Sequence, residues 1–381
     1  RDYSSVNQNF IFDDSQQQYI LIPDKTANYQ YVDQVYAAYA TYSKSFEKLS
    51  LQAGLRAESS FYEGELTQTG QKFSTNYPVS LFPSASASYK LTGKTDLQIS
   101  YSRRINRPNF FQIIPYTDYS DSLNISKGNP ALEPEFTHSV ELSAMKTISR
   151  KNTLMATIYY KQTDGVITRY LSYEVDTILG RNVLVSTFRN ANTSYAYGVE
   201  LTAQNNIKNW LDITSNVNAY QSMINGKNIE SNLKVEQFSW FAKLNLSFKL
   251  PKNFSVSLSG DYHSKTALQL NSGGGRGPMG GGTQSTAQGY VRPNYGVDAG
   301  LRYDFLKDKA ASLTLNVSDI FKTRINDVHS ESDFYIQDSW RKRDSQIFRL
   351  NFSYRFGKFD TSLFKRKNQK INTEGMQDMS M

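Results

Sequence analysis

The sequence predicts an all-β protein, a transmembrane antiparallel β-barrel of the outer-membrane kind. Three observations predict this fold. Apolar residues recur at every second position over many short segments. The connections between these segments alternate between short and long along the chain. No run of 18 apolar residues occurs, so the sequence does not predict a transmembrane helix.

The composition fits a barrel although it is polar on average. The chain has 26 Tyr, 22 Phe and no Cys, and its mean hydropathy is -0.55. Barrel strands alternate lipid-facing and lumen-facing residues, so a polar mean does not exclude a membrane protein. The net charge of +8 is interpreted as spread along the chain, with a modest excess in the tail. A nucleic-acid-binding surface would need a denser basic cluster, so no nucleic acid partner is predicted.

Period-two alternation places the strands in order along the chain. The clearest case is 238–250, where Phe238, Trp240 and Ala242 alternate with polar residues such as Ser239 and Lys243. The turn positions add two strands, at 136–147 and 152–162. Together with these two, eleven segments make up the thirteen predicted strands. They are 34–42, 49–57, 81–91, 97–101, 199–203, 211–219, 238–250, 254–262, 295–303, 313–317 and 347–356.

A soluble sandwich also alternates, and three details favour the barrel over it. The polar phase runs for about ten residues, which is the length of a tilted strand that crosses a bilayer. Tyr, Phe and Trp lie near the strand ends, as in interfacial girdles. The connections sort by length, as barrel turns and loops do. The short ones are 43–48, 92–95, 147–152, 205–209, 251–253 and 306–310; the long ones are 59–80, 105–136, 162–195, 221–237, 264–293 and 318–346.

The count of about thirteen strands is odd, whereas single-chain bacterial barrels use even numbers. With the short turns in the periplasm, the chain begins outside the cell. Residues 1–33 are therefore interpreted as the end of an extracellular loop or as one extra strand near 18–22. We expect about nine further strands and a plug before residue 1, which would complete a barrel of about 22 strands.

Four motifs carry a resemblance to a known family. They are YSRRINRP at 101–108, GNPALEPE at 128–135, LNVSDIFK at 315–322 and the aromatic-ended NFSYRF at 351–356. The chain resembles the barrel portion of TonB-dependent receptors, and is most similar to the outer-membrane β-barrel family common in Bacteroidota. The resemblance covers roughly 34–357, which is taken as the C-terminal part of the barrel. Residues 358–381 continue beyond the usual terminal aromatic and are interpreted as a polar periplasmic tail.

The resemblance implies uptake of a nutrient across the cell outer membrane, driven through TonB. The plug and the TonB-binding segment are expected in the missing N-terminal portion, with lipid and lipopolysaccharide around the wall. The alternative is a barrel that does not transport and scaffolds a surface lipoprotein or adhesin. The chain is not expected to be an enzyme or to hold a cofactor or metal. Ser259, Asp261 and His263 share one phase, but ordinary lumen lining is the preferred interpretation.

The candidate substrate-binding residues are charged or aromatic and lie near the predicted rim or in long loops. Arg104 and Arg107 could grip a plug loop or an anionic ligand. The preferred alternative is that they pair with lumen acids such as Glu58 and Glu141, because a large polar lumen needs charge pairing. Aromatic rings beside carboxylates suit ligand stacking, although a self-packed loop also needs aromatics. The candidate set is Arg104, Arg107, Phe110, Phe111, Tyr116, Tyr119, Trp340 and Arg341.

Overall fold

The fold is taken from a computed structural model of the chain. It describes residues 2–8, 10–21, 27–67, 70–118, 124–176, 180–229, 231, 234–267, 289–332, 335–342 and 344–356. The predicted periplasmic tail, 358–381, and the Gly-rich run 273–282 lie outside the described residues, as does Tyr119. Within the described part of the chain, no helix has the length and apolar content that a bilayer crossing requires.

Strands make up nearly all of the described structure, with one α-helical turn, α1 (Phe110–Ile113), and two 3₁₀ turns, at Pro251–Asn253 and Lys307–Lys309. The strands are β1 (Asp2–Asn7), β2 (Phe10–Asp13), β3 (Gln18–Leu21), β4 (Ala27–Ser45), β5 (Leu49–Leu66), β6 (Gln71–Thr92), β7 (Thr95–Asn106), β8 (Thr117–Asp118), β9 (Asn124–Lys127), β10 (Glu135–Ser149), β11 (Asn152–Asp176), β12 (Arg181–Ile207), β13 (Leu211–Asn225), β14 (Lys234–Lys249), β15 (Phe254–His263), β16 (Thr266–Ala267), β17 (Gly289–Val291), β18 (Asn294–Phe305), β19 (Ala311–Ser318), β20 (Ile325–Ser332), β21 (Tyr335–Lys342) and β22 (Ile347–Tyr354).

One antiparallel sheet contains all thirteen strands that the sequence predicts, which confirms the predicted fold class. Its order is β1-β4-β5-β6-β7-β10-β11-β12-β13-β14-β15-β18-β19-β22, and β8 and β9 join it beside β12. Within the described residues, β1 and β22 do not pair with each other, so the sheet is open. The total of 22 strands and the plug stay predictions.

The extra strand is β1, which pairs with the first residues of β4. The predicted extra strand near 18–22 instead forms a separate hairpin, β2–β3. With β1 the path has fourteen strands, one more than the thirteen that the alternation and the turn positions predict. The predicted boundary between 33 and 34 falls inside β4, because the alternation of that strand continues upstream to Ala27.

Several of the predicted long loops are paired strands. The connections 59–80 and 162–195 are almost entirely β-hairpin, because β5 and β6 pair from Leu49 to Leu66 and β11 and β12 pair from Thr153 to Asp176. Pairing satisfies the backbone hydrogen bonds of a long connection without side-chain help. The main sheet therefore has two different ends. The end that carries the six short turns is called here the turn end, and the end that carries the long hairpins is called here the hairpin end.

The outward face of the sheet is apolar and exposed between two aromatic girdles. Leu51, Ile99, Ile158, Leu201 and Leu244 are each at least 39% exposed on this face. At the turn end, Trp210 packs on Phe248 and Phe254 stacks on Tyr303, with ring centroids 6.0 and 4.5 Å apart. At the other boundary, Trp240 and Tyr262 are 4.7 Å apart. Trp240 and Phe248 are separated by roughly 26 Å of strand, a span that matches a lipid-facing apolar band.

A second sheet lies at the hairpin end, in the order β16-β17-β20-β21. Its strands β16 and β17 follow β15 in the chain, and β20 and β21 follow β19. The predicted residues Trp340 and Arg341 lie on β21. Its strand β21 is an edge strand in the described structure.

Candidate functional site

Residues 107–118 and 124–134 lie at the hairpin end and carry four of the predicted site residues, Arg107, Phe110, Phe111 and Tyr116. The segment begins with α1, whose N-terminus has a capping box. The Asn109 side chain accepts a hydrogen bond from the Gln112 amide at 3.1 Å, and the Gln112 side chain accepts one from the Asn109 amide at 2.8 Å. Reciprocal capping satisfies two free amides and fixes this single turn. The turn therefore holds Phe110 and Phe111 in a defined orientation.

Phe110 joins a buried aromatic cluster formed by β4, β5 and β6. Its ring centroid lies 4.7 Å from those of Tyr29 and Tyr31. Tyr31 stacks on Tyr62 at 6.0 Å, and Tyr62 meets Tyr77 edge-on at 5.5 Å. Each such pair adds about 0.5–1.5 kcal/mol beyond the burial of its area. The cluster therefore ties α1 to the hairpins that extend beyond the membrane.

Burial also raises the pKa of three phenols of this cluster. It raises the pKa of Tyr62 to about 12, against an opposing effect of Arg107. Burial raises the pKa values of Tyr31 and Tyr77 well above the ordinary range, and Asp33 adds to the effect on Tyr31. These groups sit above the membrane-spanning part of their strands. At neutral pH they are uncharged hydrogen-bond donors.

The GNPALEPE motif anchors the same segment to the hairpins on both sides. The Tyr77 hydroxyl donates to the Leu132 carbonyl at 2.7 Å. On the other side, the Asn190 amide group accepts from the Glu133 amide at 2.9 Å and donates to the Glu133 carbonyl at 2.9 Å. The buried Glu135 accepts from the Ile167 amide at 2.5 Å. The motif thus has a structural role that its sequence alone did not reveal.

Gly128 of this motif lies directly against backbone, which leads to a testable expectation. A Cβ at this position would collide with the Ile114 carbonyl and approach the Gln112 carbonyl to 3.0 Å. We expect Gly128→Ala to destabilise the segment by about 1–3 kcal/mol, since packed backbone cannot yield cheaply. Hydrogen exchange of residues 110–116 measures this. Gly93→Ala is the matched control, because a Cβ there has nothing within 4 Å. Equal protection in the two variants would contradict the assignment.

A buried ion-pair group stands beside the aromatic cluster. Glu58 is 7% exposed and accepts hydrogen bonds from Arg56 Nε and Arg107 Nη2. Arg107 Nε also donates to Ser60 Oγ at 3.0 Å. Arg107 therefore makes the wall-bracing contact with Glu58 that the sequence predicted as the preferred alternative, and it also lines the cavity described next.

A cavity of about 960 Å³ opens between α1 and the hairpin-end parts of β1, β4 and β5. Its size is at the upper end of that of small-ligand sites. Aromatic residues, two aspartates and one arginine line it. The lining residues are Asp2, Tyr31, Asp33, Val35, Tyr62, Arg107, Pro108, Asn109, Phe110 and Phe111. Phe111 is 37% exposed, so its ring is accessible to a ligand.

The structure brings together some of the predicted residues and separates others. Arg107, Phe110 and Phe111 line the cavity, and Tyr116 packs against the aromatic cluster behind it. Arg104 is exposed on β7 and makes no side-chain hydrogen bond or ion pair with the described residues. Trp340, 72% exposed, and Arg341 lie in the second sheet, which contributes no lining residue. Tyr119 lies outside the described residues.

The cavity residues on β1, β4 and β5 are not among the residues predicted from the sequence. Tyr31 and Asp33 continue the alternation of β4 upstream, and Tyr62 continues that of β5 in the phase of Glu58. The sequence signal for these cavity residues is that the alternation of β4 and β5 continues beyond the length that a bilayer crossing needs. The sequence predicts a loop end or one extra strand for residues 1–33 and a long loop for 59–80, so this alternation lies outside the predicted strands.

A second polar group lies on the lumen face near the second sheet. Arg324 donates to Asp298 Oδ1 at 2.7 Å and to Asp261 Oδ1 at 2.8 Å. The Ser259 hydroxyl donates to Asp298 at 3.5 Å, and His263 Nε2 lies 3.9 Å from Asp261 Oδ2. No Ser259–His263 hydrogen bond occurs in the described structure, and each of these residues contacts a different aspartate. Within the described ranges, no group of three or more His, Cys, Asp or Glu side chains could hold a metal ion.

The chain matches one family model, and its fold resembles solved receptors. Residues 1–354 match the model of the outer membrane protein beta-barrel family. No curated protein sequence matches at a significant level.

Three solved structures illustrate the likeness in fold. The siderophore receptor PiuA from Acinetobacter baumannii is 15% identical, with a TM-score of 0.59 over 88% of this chain and 44% of the receptor. The ferric citrate transporter FecA is 13% identical, with a TM-score of 0.62 over 93% and 50%. The ferric-catecholate import receptor Fiu from Escherichia coli K12 is 15% identical, with a TM-score of 0.58 over 89% and 46%. The chain thus spans about half the length of these proteins.

Proposed function

The chain belongs to the outer membrane protein beta-barrel family, and on this premise we propose that it is part of a receptor that imports a nutrient by TonB-dependent active transport. In this proposal the chain forms barrel wall and extracellular hairpins. The cavity at the hairpin end carries the proposal, because Phe111 and Arg107 line it where a substrate would arrive. The solved structures with a similar fold are described as siderophore or iron receptors, and this supports uptake as the general function.

The same proposal fixes the orientation and the partners. The turn end faces the periplasm and the hairpin end faces outside, since outer-membrane barrels have short periplasmic turns. Residues 358–381 then form a periplasmic tail. A plug and further strands of the same protein, and TonB through them, are the expected partners, with lipid and lipopolysaccharide around the wall. Origin in Bacteroidota stays a prediction that rests on the motifs at 101–108 and 128–135.

An uptake experiment tests the proposal on the whole receptor. Cells that make it, with and without TonB, are given a defined mixture of oligosaccharides, short peptides and ferric siderophores, and depletion is followed by mass spectrometry. We expect one compound class to disappear from the medium only when receptor and TonB are both present. Depletion that is independent of either one would reject TonB-dependent uptake.

Phe111 gives the uptake prediction a residue-level form. Phe111→Ala removes an accessible ring from the cavity while Phe110 keeps the cluster in place, so uptake at low substrate concentration should fall about tenfold. The matched control is Phe321→Ala, because Phe321 is 63% exposed and does not line the cavity. Similar uptake by both variants would remove the cavity from the transport path.

The alternative function is a surface scaffold for a lipoprotein or adhesin. The exposed side chains of Ile336 and Trp340, 70% and 72% exposed, favour it, since they lie on the same face of edge strand β21. Such a barrel would retain a bound surface protein in the absence of TonB and would deplete none of the supplied compounds. The uptake experiment therefore separates the two functions.

A further inference from the structure

Basic side chains collect at the turn end. The six short turns, the strand residues beside them and the end of β22 carry fourteen basic residues and five acidic ones, called here the turn-end set. The basic members are Lys44, Lys48, Lys90, Lys94, Lys146, Arg150, Lys151, Lys208, Lys249, Lys252, Arg302, Lys307, Lys309 and Arg355; the acidic members are Glu47, Asp96, Asp212, Asp304 and Asp308.

This set accounts for the whole positive charge of the protein. The full chain has 43 basic and 35 acidic residues, so the remainder holds 29 and 30. The positive charge is spread along the sequence, as predicted, but the fold collects it at one end of the sheet. The antiparallel order of the strands brings separate short charged stretches to one end, which a linear reading of the sequence does not reveal.

The basic members of the turn-end set are exposed and mostly not paired with acids. All fourteen are exposed. In the described structure only two of them form ion pairs, Lys249 with Asp212 at 2.7 Å and Arg302 with Asp304 at 2.8 Å. Lys151 donates to the Asn209 side chain, and Arg355 to two turn carbonyls. The surface therefore keeps a large uncompensated positive charge.

The position of the set relative to the aromatic girdle points to its partner. Lys208 and Lys249 adjoin Trp210 and Phe248, the girdle pair that marks the membrane boundary at this end. Lysine and arginine side chains just outside such a girdle reach the level of lipid headgroups. The cations are distributed over six turns along the barrel wall, so they face successive lipids and not one compact partner.

We propose that the turn end is a docking surface for the anionic phospholipid headgroups of the leaflet that surrounds it. Opposite charges at a membrane surface attract, and each Lys or Arg near an anionic leaflet strengthens the association. The acids of the set are too few to compete with lipid phosphate. The row of cations along the six turns thereby fixes the depth of the turn end in its leaflet. This inference does not depend on which substrate the receptor carries.

The test measures lipid selectivity of the whole receptor in phosphatidylcholine vesicles. Spin-labelled phosphatidylglycerol and spin-labelled phosphatidylcholine compete for the protein surface, and the ratio of their association constants is read by electron spin resonance. We expect phosphatidylglycerol to bind about fivefold more strongly, and this preference to shrink in 0.5 M NaCl because salt screens exposed charges.

The decisive comparison uses two triple variants with the same change of charge. The first variant should reduce the preference at least twofold; it combines Lys48→Gln, Lys94→Gln and Arg150→Gln. The second variant changes three exposed lysines at the hairpin end and should leave the preference unchanged; it combines Lys72→Gln, Lys227→Gln and Lys234→Gln. A third variant, with Lys48→Arg, Lys94→Arg and Arg150→Lys, keeps the charge and should keep the preference, which separates charge from folding. A wild-type ratio near one, or an equal reduction in both Gln variants, would overturn the proposal.

Discussion

Replacing Glu58 by alanine is expected to destabilise the hairpin end by about 3 kcal/mol, because the change leaves a cation without its counterion in a mostly buried site. The side chain of Arg107 is 20% exposed, whereas that of Arg56 is 50% exposed. Arg56 can therefore turn to water, but Arg107 is held beside Tyr62 by its hydrogen bond to Ser60. The loss comes mainly from Arg107, which places the effect at the lower end of the range for broken buried pairs.

The loss can be measured on the detergent-solubilised receptor. Hydrogen exchange should accelerate in residues 57–63 and 105–112, and the urea midpoint should fall if this region unfolds with the barrel. Glu58→Gln should give a smaller effect, since the amide oxygen still accepts one hydrogen bond from an arginine.

Glu65 provides the matched control on the same strand. It forms an ion pair with Lys72 at 3.6 Å, and the two side chains are 38% and 68% exposed. Exposed pairs contribute little, so Glu65→Ala should change stability by no more than about 0.5 kcal/mol. If Glu58→Ala and Glu65→Ala behave alike, the Glu58 group is not a buried structural pair.

The membrane-spanning strands could be predicted because lipid imposes a strict alternation on them. Each of the thirteen predicted strands has an apolar outward phase, as in Leu244 and Leu246 of β14, and a shift by one residue would place polar groups in lipid. Above the membrane this constraint ends. Tyr29, Tyr31 and Tyr62 bury their rings at the hairpin end, and β1 is too short to carry a clear pattern. Those parts of the fold depend on contacts between distant segments.

The site was predictable in composition but not in assembly. Phe110, Phe111 and Arg107 were identified because aromatic and charged residues cluster in one connection, and Glu58 was named as a lumen acid that Arg104 or Arg107 could pair with. The sequence did not indicate which connections pack against the hairpin ends of distant strands. Trp340 and Arg341 are likewise an aromatic and a charged residue in one long connection, and yet they lie in a different sheet. The order of the strands and the length of the hairpins decide which of these groups meet.

Replacing Asp319 by asparagine is expected to release the connection between β19 and β20, with a local cost of about 3 kcal/mol. Asp319 is fully buried in the LNVSDIFK motif. One carboxylate oxygen accepts from the amide and hydroxyl of Thr323 at 3.0 and 3.2 Å, and the other accepts from the Arg324 amide at 3.1 Å and from Ser345 Oγ. In asparagine one of these oxygens becomes an amino group, which faces two donors, and each unsatisfied buried donor costs about 1–3 kcal/mol.

The same carboxylate predicts a dependence on pH. Burial opposes its ionisation, but hydrogen bonds from Ser345, Arg324 and Thr323 outweigh burial and lower the pKa of Asp319. A carboxyl group whose pKa is lower in the folded state stabilises that state above its unfolded pKa of about 3.9. The contribution is lost as the pH falls through the lower folded value. The connection should therefore stay closed at neutral pH and open in strong acid, and Asp319→Asn should remove this part of the acid response.

Trypsin cleavage after Lys322 and Arg324 measures the release directly, because both sites flank the turn that Asp319 holds. Cleavage should be at least tenfold faster in Asp319→Asn than in the wild type at neutral pH. Asp344→Asn is the control, since Asp344 is exposed and makes no side-chain hydrogen bond in the described structure, although it adjoins Ser345. Arg324 also bridges Asp298 and Asp261 on the barrel wall. If cleavage stays slow in Asp319→Asn, that bridge alone holds the connection, and the buried carboxylate does not position the second sheet.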